Sequence, residues 1–245
     1  MSMCAKTGMA MSKQRNLFLQ LFAAACMLLA AVSIHAADDF PGGKPDRRII
    51  KMQEKVDSLF EKGDYERAYF IYREELVPLG DKYAQYMVGY MTLVGKGVPG
   101  DLIAGSAWYR LAAERGDPAF LQASNEVLRI LSDEQREQSD QRYLELRREF
   151  SDVMIVAKLI ENDLDALDSR IDVASITRDL VGAQYYNKDV LAKENAEAVA
   201  RVEDRLQFLI ETLSKPGLLA VEEINRVDQI ESRAYALLQA YKPQN

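Results

Sequence analysis

The chain has 245 residues, 38 of them acidic and 31 basic, for a net charge of −7. That length holds one large domain or two small ones, and the acidic balance argues against nucleic acid or an anionic bilayer as the main partner, because both repel a net-negative chain. Cys4, Cys26 and His35 are the only cysteines and histidine, so the chain beyond residue 37 offers no thiolate, no imidazole base and no Cys or His ligands for zinc or copper.

Residues 1–37 read as a signal peptide. Lys6, Lys13 and Arg15 form a basic start, an apolar run follows from Leu17 to Ile34, and Ala36-Ala37 precede Asp38-Asp39. This is the three-part order of a secretory leader, with cleavage expected after Ala36 or Ala37. An uncleaved inner-membrane anchor is the alternative, since the run approaches the ~18–20 residues that span a bilayer. Removal of the leader takes three basic and no acidic residues, leaving 28 against 38 and a charge of −10. No disulfide is then possible, and none of the seven asparagines opens an N-x-Ser/Thr sequon. Together these features point to a bacterial periplasm rather than a eukaryotic surface. Residues 38–45, with Pro41, Gly42, Gly43 and Pro45, read as a flexible tether.

From there apolar residues recur at intervals of three and four, as in Ile49, Met52, Val56, Leu59 and Phe60, which predicts helices throughout and no sheet. The first pair is expected over 46–62 and 64–77, broken by Gly63, with Asp64 capping the second helix. The string LFEKGDYERAYFIY resembles the turn of a tetratricopeptide repeat, with Gly63, Tyr65, Ala68 and Tyr72 at that family's turn and packing positions.

The second pair is expected over 83–94 and 102–115. Between them lies GKGVPGD, in which glycines allow a tight reversal and Asp101 is a natural N-cap. Ala84, Gly89, Ala104, Gly105, Ala107, Ala112 and Ala113 allow close helix approach, while Tyr86, Tyr90, Met91 and Trp108 fill the space between layers. This block, at 82–117, resembles the Sel-1-like repeat. The matching positions are Ala84, Gln85, Tyr86, Gly89, Met91, Gly95, Gly97, Val98, Asp101, Trp108, Tyr109, Ala112, Ala113 and Gly116. Lys82, Val88, Thr92 and Gly105 depart from the family pattern and soften the packing it implies. The resemblance implies an all-α, α/α-repeat solenoid that holds proteins together, often exported in bacteria. A degenerate third pair, over 118–131 and 133–150, ends in a charged helix suited to capping, which completes an expected repeat domain over 46–150.

Over 151–245 the pattern narrows. Val153, Val156, Ile160, Leu164, Leu167 and Ile171 form one stripe, Val199, Val202, Leu206, Leu209 and Leu213 a second, and Ile224, Val227, Ile230, Ala234, Leu237 and Tyr241 a third. Gly182 with Tyr185-Tyr186-Asn187, and then Pro216-Gly217, mark breaks. A helical hairpin or coiled coil is expected, folding back on the repeats or forming a homodimer seam.

Candidate chemistry is sparse. Glu161, Asp163, Asp165 and Asp168 are dense enough for a cation, but they lack the turn glycine and terminal bidentate acid of a calcium loop and keep helical spacing, as a solvated face does. Glu74, Glu75, Glu114 and Asp117 could supply a glycosidic acid pair, although no spacing sets two of them across a cleft. Ser106 has no histidine to activate it, and GKGVPGD lacks the Walker spacing of a phosphate loop. The tyrosines Tyr65, Tyr69, Tyr72, Tyr83, Tyr86 and Tyr90 read first as inter-helix core, with Tyr69, Tyr83 and Tyr90 as the candidate lining of a concave groove for a peptide or helix. The expectation is a periplasmic, non-enzymatic scaffold with no cofactor and no metal, binding a protein or peptide of the cell envelope. A carboxylate-dependent cell-wall or glycan hydrolase, or an inner-membrane-anchored assembly factor, is the alternative.

Overall fold

The structure, a computed structural model, describes residues 40–41, 47–179, 188–213 and 221–241. The expected leader and most of the tether lie outside the described residues. Among those described there is no strand and no helix long and apolar enough to cross a membrane. The fold is all-α, as the three-and-four spacing predicts. The chain divides into two compact units, one ending at Arg147 and the other beginning at Arg148.

The first unit is built of consecutive helical pairs. Helix α1 (Arg47–Glu61) ends in a left-handed Gly63, where the amide of Asp64 reaches Leu59 O at 3.0 Å and that of Gly63 reaches Phe60 O at 3.1 Å. These two bonds satisfy carbonyls that the helix end would otherwise orphan. Asp64 does not cap the next helix; its carboxylate instead takes a hydrogen bond from Arg67 at 3.0 Å. Helix α2 (Tyr65–Phe70) keeps the α register for six residues, widens to a π-type turn (Ile71–Leu76), then tightens over Val77–Leu79. The expected straight helix over 64–77 is therefore irregular. Pro78 has no N–H for the Glu74 carbonyl, and its ring crowds that carbonyl.

Three aspartates start the next helices. Asp81 accepts from Ala84 N at 2.9 Å and opens α3 (Lys82–Val94). Asp101 accepts from Ile103 N and Ala104 N, both at 2.9 Å, and opens α4 (Leu102–Ala112). Asp117 does the same for α5 (Pro118–Ile130), with Pro118 at its first position. Each such cap supplies about 1 kcal/mol by satisfying free amides. Helix α6 (Asp133–Phe150) begins with a reciprocal box, in which Ser132 Oγ accepts from Gln135 N and Gln135 Oε1 accepts from Ser132 N.

Helices α3 and α4 cross where both are bare. A β-carbon on Gly89 would lie 2.6 Å from Tyr109 Cδ1, and one on Gly105 would lie 2.5 Å from Leu93 Cγ and 3.0 Å from Gly89 O. Two glycines thus set the spacing of the pair. Rings then join successive pairs. Tyr86 of α3 stacks on Tyr109 of α4 with centroids 4.8 Å apart and on Phe120 of α5 at 5.2 Å. Lys82 is buried. Its ammonium donates to Glu114 at 2.7 Å, Gln85 Oε1 at 3.1 Å and the Leu111 carbonyl at 3.3 Å, which ties the start of α3 to the end of α4.

The second unit is a three-helix bundle of α7 (Asp152–Asp179), α8 (Lys188–Leu213) and α9 (Val221–Tyr241). Asp163 meets Arg201 and Arg205, whereas the Leu159 carbonyl meets Arg205, so α8 runs antiparallel to α7. Glu161 meets Arg226 and the Leu167 carbonyl meets Tyr241, so α9 runs parallel to α7. Val153, Val156, Ile160 and Leu164 pack with Val202 and Leu209 and with Val227, Ile230 and Ala234. The sequence stripes face one another inside the unit. A third helix closes what was expected as a hairpin or coiled coil, because Arg226, Arg233 and Tyr241 of α9 bond to α7. Ile224, expected in the third stripe, is exposed. The breaks expected at Gly182 to Asn187 and at Pro216-Gly217 lie outside the described residues.

Candidate protein-binding cleft

The first unit carries an open cleft of about 560 Å³. Tyr69 comes to it from α2, Arg73 from the π-type turn, Thr92 from α3, residues 98–101 from the α3–α4 turn, Leu102, Ile103, Ala104 and Trp108 from α4, and Gln135, Arg142 and Leu146 from α6. Successive helical pairs therefore build one surface, which no single pair could present.

The turn that floors this cleft is fixed from beneath. Gly95 and Gly97 both have left-handed backbone, with φ of 73° and 71°. Lys96 between them places its ammonium 4.5 Å from the Tyr65 ring centroid, 5.1 Å from that of Phe60 and 5.6 Å from that of Tyr90. A cation over ring faces is held by about 0.5–2 kcal/mol per good contact. The lysine of GKGVPGD is thus spent on anchoring the turn to the first pair, the structural role the sequence favours over a phosphate loop.

Above that floor the chemistry is aromatic and cationic. Trp108 is 4% exposed and its ring is covered by the Arg73 guanidinium, 5.1 Å from the centroid. Tyr69, half-buried, lies one helical turn before Arg73. Arg142 is half-exposed and gives one nitrogen to Glu145 at 2.7 Å, which leaves the rest of its fork for a ligand. Asp101 is the one carboxylate among the lining residues, and its Oδ1 is committed to the α4 amides. The paired carboxylates that glycosidic cleavage needs are not assembled in this cleft. Glu114 is bound to Lys82, Asp117 caps α5, and Glu74 and Glu75 are exposed outside the lining. Ser106 is buried between α4 and α6, sharing a hydrogen bond with Ser139 Oγ at 2.7 Å.

The three tyrosines singled out in the sequence separate here. Tyr69 lines the cleft. Tyr90 is 2% exposed, edge-on to Phe60 at 6.1 Å, and offers a partner no surface. Tyr83 is half-buried in a polar network away from the cleft lining. Its ring meets Tyr72 edge-on at 6.2 Å. Tyr72 in turn donates to Asp57 Oδ1 at 2.6 Å. Burial pushes both phenols upward. Burial likewise raises the carboxyl of Asp57, against the lowering effect of the Tyr72 hydrogen bond. It also raises that of Asp81, which the Ala84 amide and Gln53 partly offset. The network therefore holds α1, the π-type turn and α3 together and is not cleft lining.

Arg73 and Arg142 are the cleft residues that sequence reading passed over, and Trp108, expected as packing between layers, also reaches the lining. The spacing of four between Tyr69 and Arg73 places both on one helix face and was a usable signal. Nothing in the sequence brings Arg142 to Trp108 from 34 positions away. The acid run of α7 also finds its role in the fold. Glu161 pairs with Arg226 at 2.5 Å, Asp163 with Arg201 and Arg205, and Asp165 and Asp168 with Arg233 at 2.7 Å each. These carboxylates point at arginines of α8 and α9, and among the described residues no group of three or more His, Cys, Asp or Glu side chains is set to hold a metal. No protein-family model, curated protein or solved structure matches this chain.

Proposed function

We propose that this chain is an exported, periplasmic adaptor of the Sel-1-like, tetratricopeptide-related kind, without catalytic activity, and that its first unit binds a peptide segment of a partner protein. The observation that carries the reading is the 560 Å³ cleft with Tyr69, Arg73, Trp108 and Arg142 along it. Rigid aromatics and arginines are the side chains that dominate binding energy at protein interfaces. Their placement on consecutive helical pairs gives a peptide several anchoring points along its length. The match of Ala84, Gly89, Gly95, Gly97, Trp108 and Gly116 to the Sel-1-like pattern supports the same conclusion, as does the close approach of α4 at Gly89.

A photo-crosslinking side chain at Leu102, in the cleft, tests this in intact cells. The expected result is a discrete adduct with one envelope protein. Tyr69→Ala and Arg142→Ala should each reduce it about tenfold, the effect of removing an interface anchor worth 1–2 kcal/mol. The same crosslinker at Ile50, exposed and outside the lining, should give none. Equal adducts from both positions, or an adduct indifferent to both substitutions, would overturn the assignment.

A further inference from the structure

A second concavity of the first unit, of about 410 Å³, lies among α4, α5 and α6 and shares no lining residue with the cleft. Its lining is Arg110, Asn125, Leu128, Arg129, Arg136 and Asp140. Arg110 is neutralised by its ion pair with Asp140, and its guanidinium lies 4.3 Å from the Tyr143 ring centroid, which fixes it in place. Arg136 donates Nε to the Leu128 carbonyl at 3.1 Å, so its two terminal nitrogens remain as donors. Arg129 is exposed, and among the described residues neither Arg129 nor Arg136 has an ion-pair partner. Two uncompensated guanidiniums thus share one small cavity in a chain whose net charge is −7. Asp140, the one carboxylate of the lining, is taken up by Arg110, so the lining offers Arg129 and Arg136 no further counter-charge.

We propose that this pocket binds a phosphate monoester group as its dianion. The charge balance sets the class of ligand. Two unpaired arginines match the −1.5 to −2 charge that a phosphate monoester carries near neutrality, whereas a lone carboxylate leaves one arginine uncompensated. The geometry of the donors suits the same group, since each guanidinium presents parallel N–H bonds that fit two oxygens of one phosphate. The Asn125 carboxamide adds neutral donors for the third oxygen. The group can belong to a soluble phosphate ester or to a phosphatidic-acid headgroup. The acidity of the whole chain favours the soluble source, because an anionic bilayer repels it at long range.

The test titrates the full chain with inorganic phosphate, against chloride at matched ionic strength, while side-chain arginine resonances are followed by NMR. Saturable shifts at Arg129 and Arg136 are expected. Arg129→Gln and Arg136→Gln should each weaken binding about tenfold, as loss of one charge-assisted pair does. Arg129→Gln removes no internal hydrogen bond, so it keeps the fold, and unchanged circular dichroism verifies this. Flotation with phosphatidic-acid vesicles, against phosphatidylcholine vesicles, separates the sources. Saturation without flotation assigns a soluble ester, and flotation that Arg129→Gln abolishes assigns the lipid. A chain that neither saturates with phosphate nor floats, or whose response is the same in Arg129→Gln, overturns the proposal.

Discussion

Gly95 and Gly97 show how two identical letters two positions apart carry different physical burdens. Both adopt φ near +70°, so an alanine at either pays the left-handed backbone cost of about 1–2 kcal/mol. At Gly95 the added carbon would find its nearest neighbour, Gly100 N, at 3.3 Å, a contact relieved by small movement. At Gly97 it would press into the carbonyl of Tyr65 and lie 2.8 Å from Glu66 N, which is helix backbone and does not yield. Gly97→Ala should therefore destabilise the first unit by about 3 kcal/mol or more, and Gly95→Ala by about 1–2 kcal/mol. Urea unfolding of the two variants checks this, and equal losses would mean that the turn is not seated on α2. The sequence shows both glycines in a turn; it does not show that one of them is pressed against the preceding helical pair.

At the scale of elements, what was legible is what local chemistry controls. Asp101, Gly95 and the 83–94 and 102–115 periodicity specify where α3 and α4 begin and end, and the structure places them there to within a few residues. The acid run of α7 was legible only as a charged face, because its arginines lie 38 to 68 positions away. Its pairs also differ in energetic weight. Asp163 and Arg205 are 14% and 15% exposed, and burial lowers the Arg205 guanidinium, so this pair sits partly in the low-dielectric interior. Arg233 is 40% exposed and its pairs are screened by water. Asp163→Ala strands Arg205 beside Arg201 and should cost about 2–3 kcal/mol, less than a fully buried pair. Arg233→Ala should cost at most about 1 kcal/mol. Chemical denaturation of the full chain separates the two cases, and a larger loss for Arg233→Ala would reverse the assignment of which pair holds the bundle together.

For the whole molecule, composition was the most transferable information, and its reach is limited by folding. The net charge is −7, yet the fold gathers Arg110, Arg129 and Arg136 from three helices into one cavity and Arg73 and Arg142 into another. Neither cluster is visible as a run, because residues on different helices converge only after the pairs have packed. Cysteine and histidine usage makes a firmer claim, since it depends on no contact. If residues 1–37 are an export leader, the protein recovered from the cell envelope lacks Cys4, Cys26 and His35, carries a charge of −10, and holds its fold by burial, helix caps and ion pairs alone. Intact-mass measurement should then give a chain beginning at Ala37 or Asp38, and its thermal midpoint should be the same with and without a thiol reductant, since no loop is closed by a disulfide. A mass that retains Leu17 to Ile34 would make the same run a membrane anchor, as its length permits. A midpoint that falls on reduction would show that Cys4 and Cys26 remain and are bonded, and the first 37 residues would then belong to the folded protein.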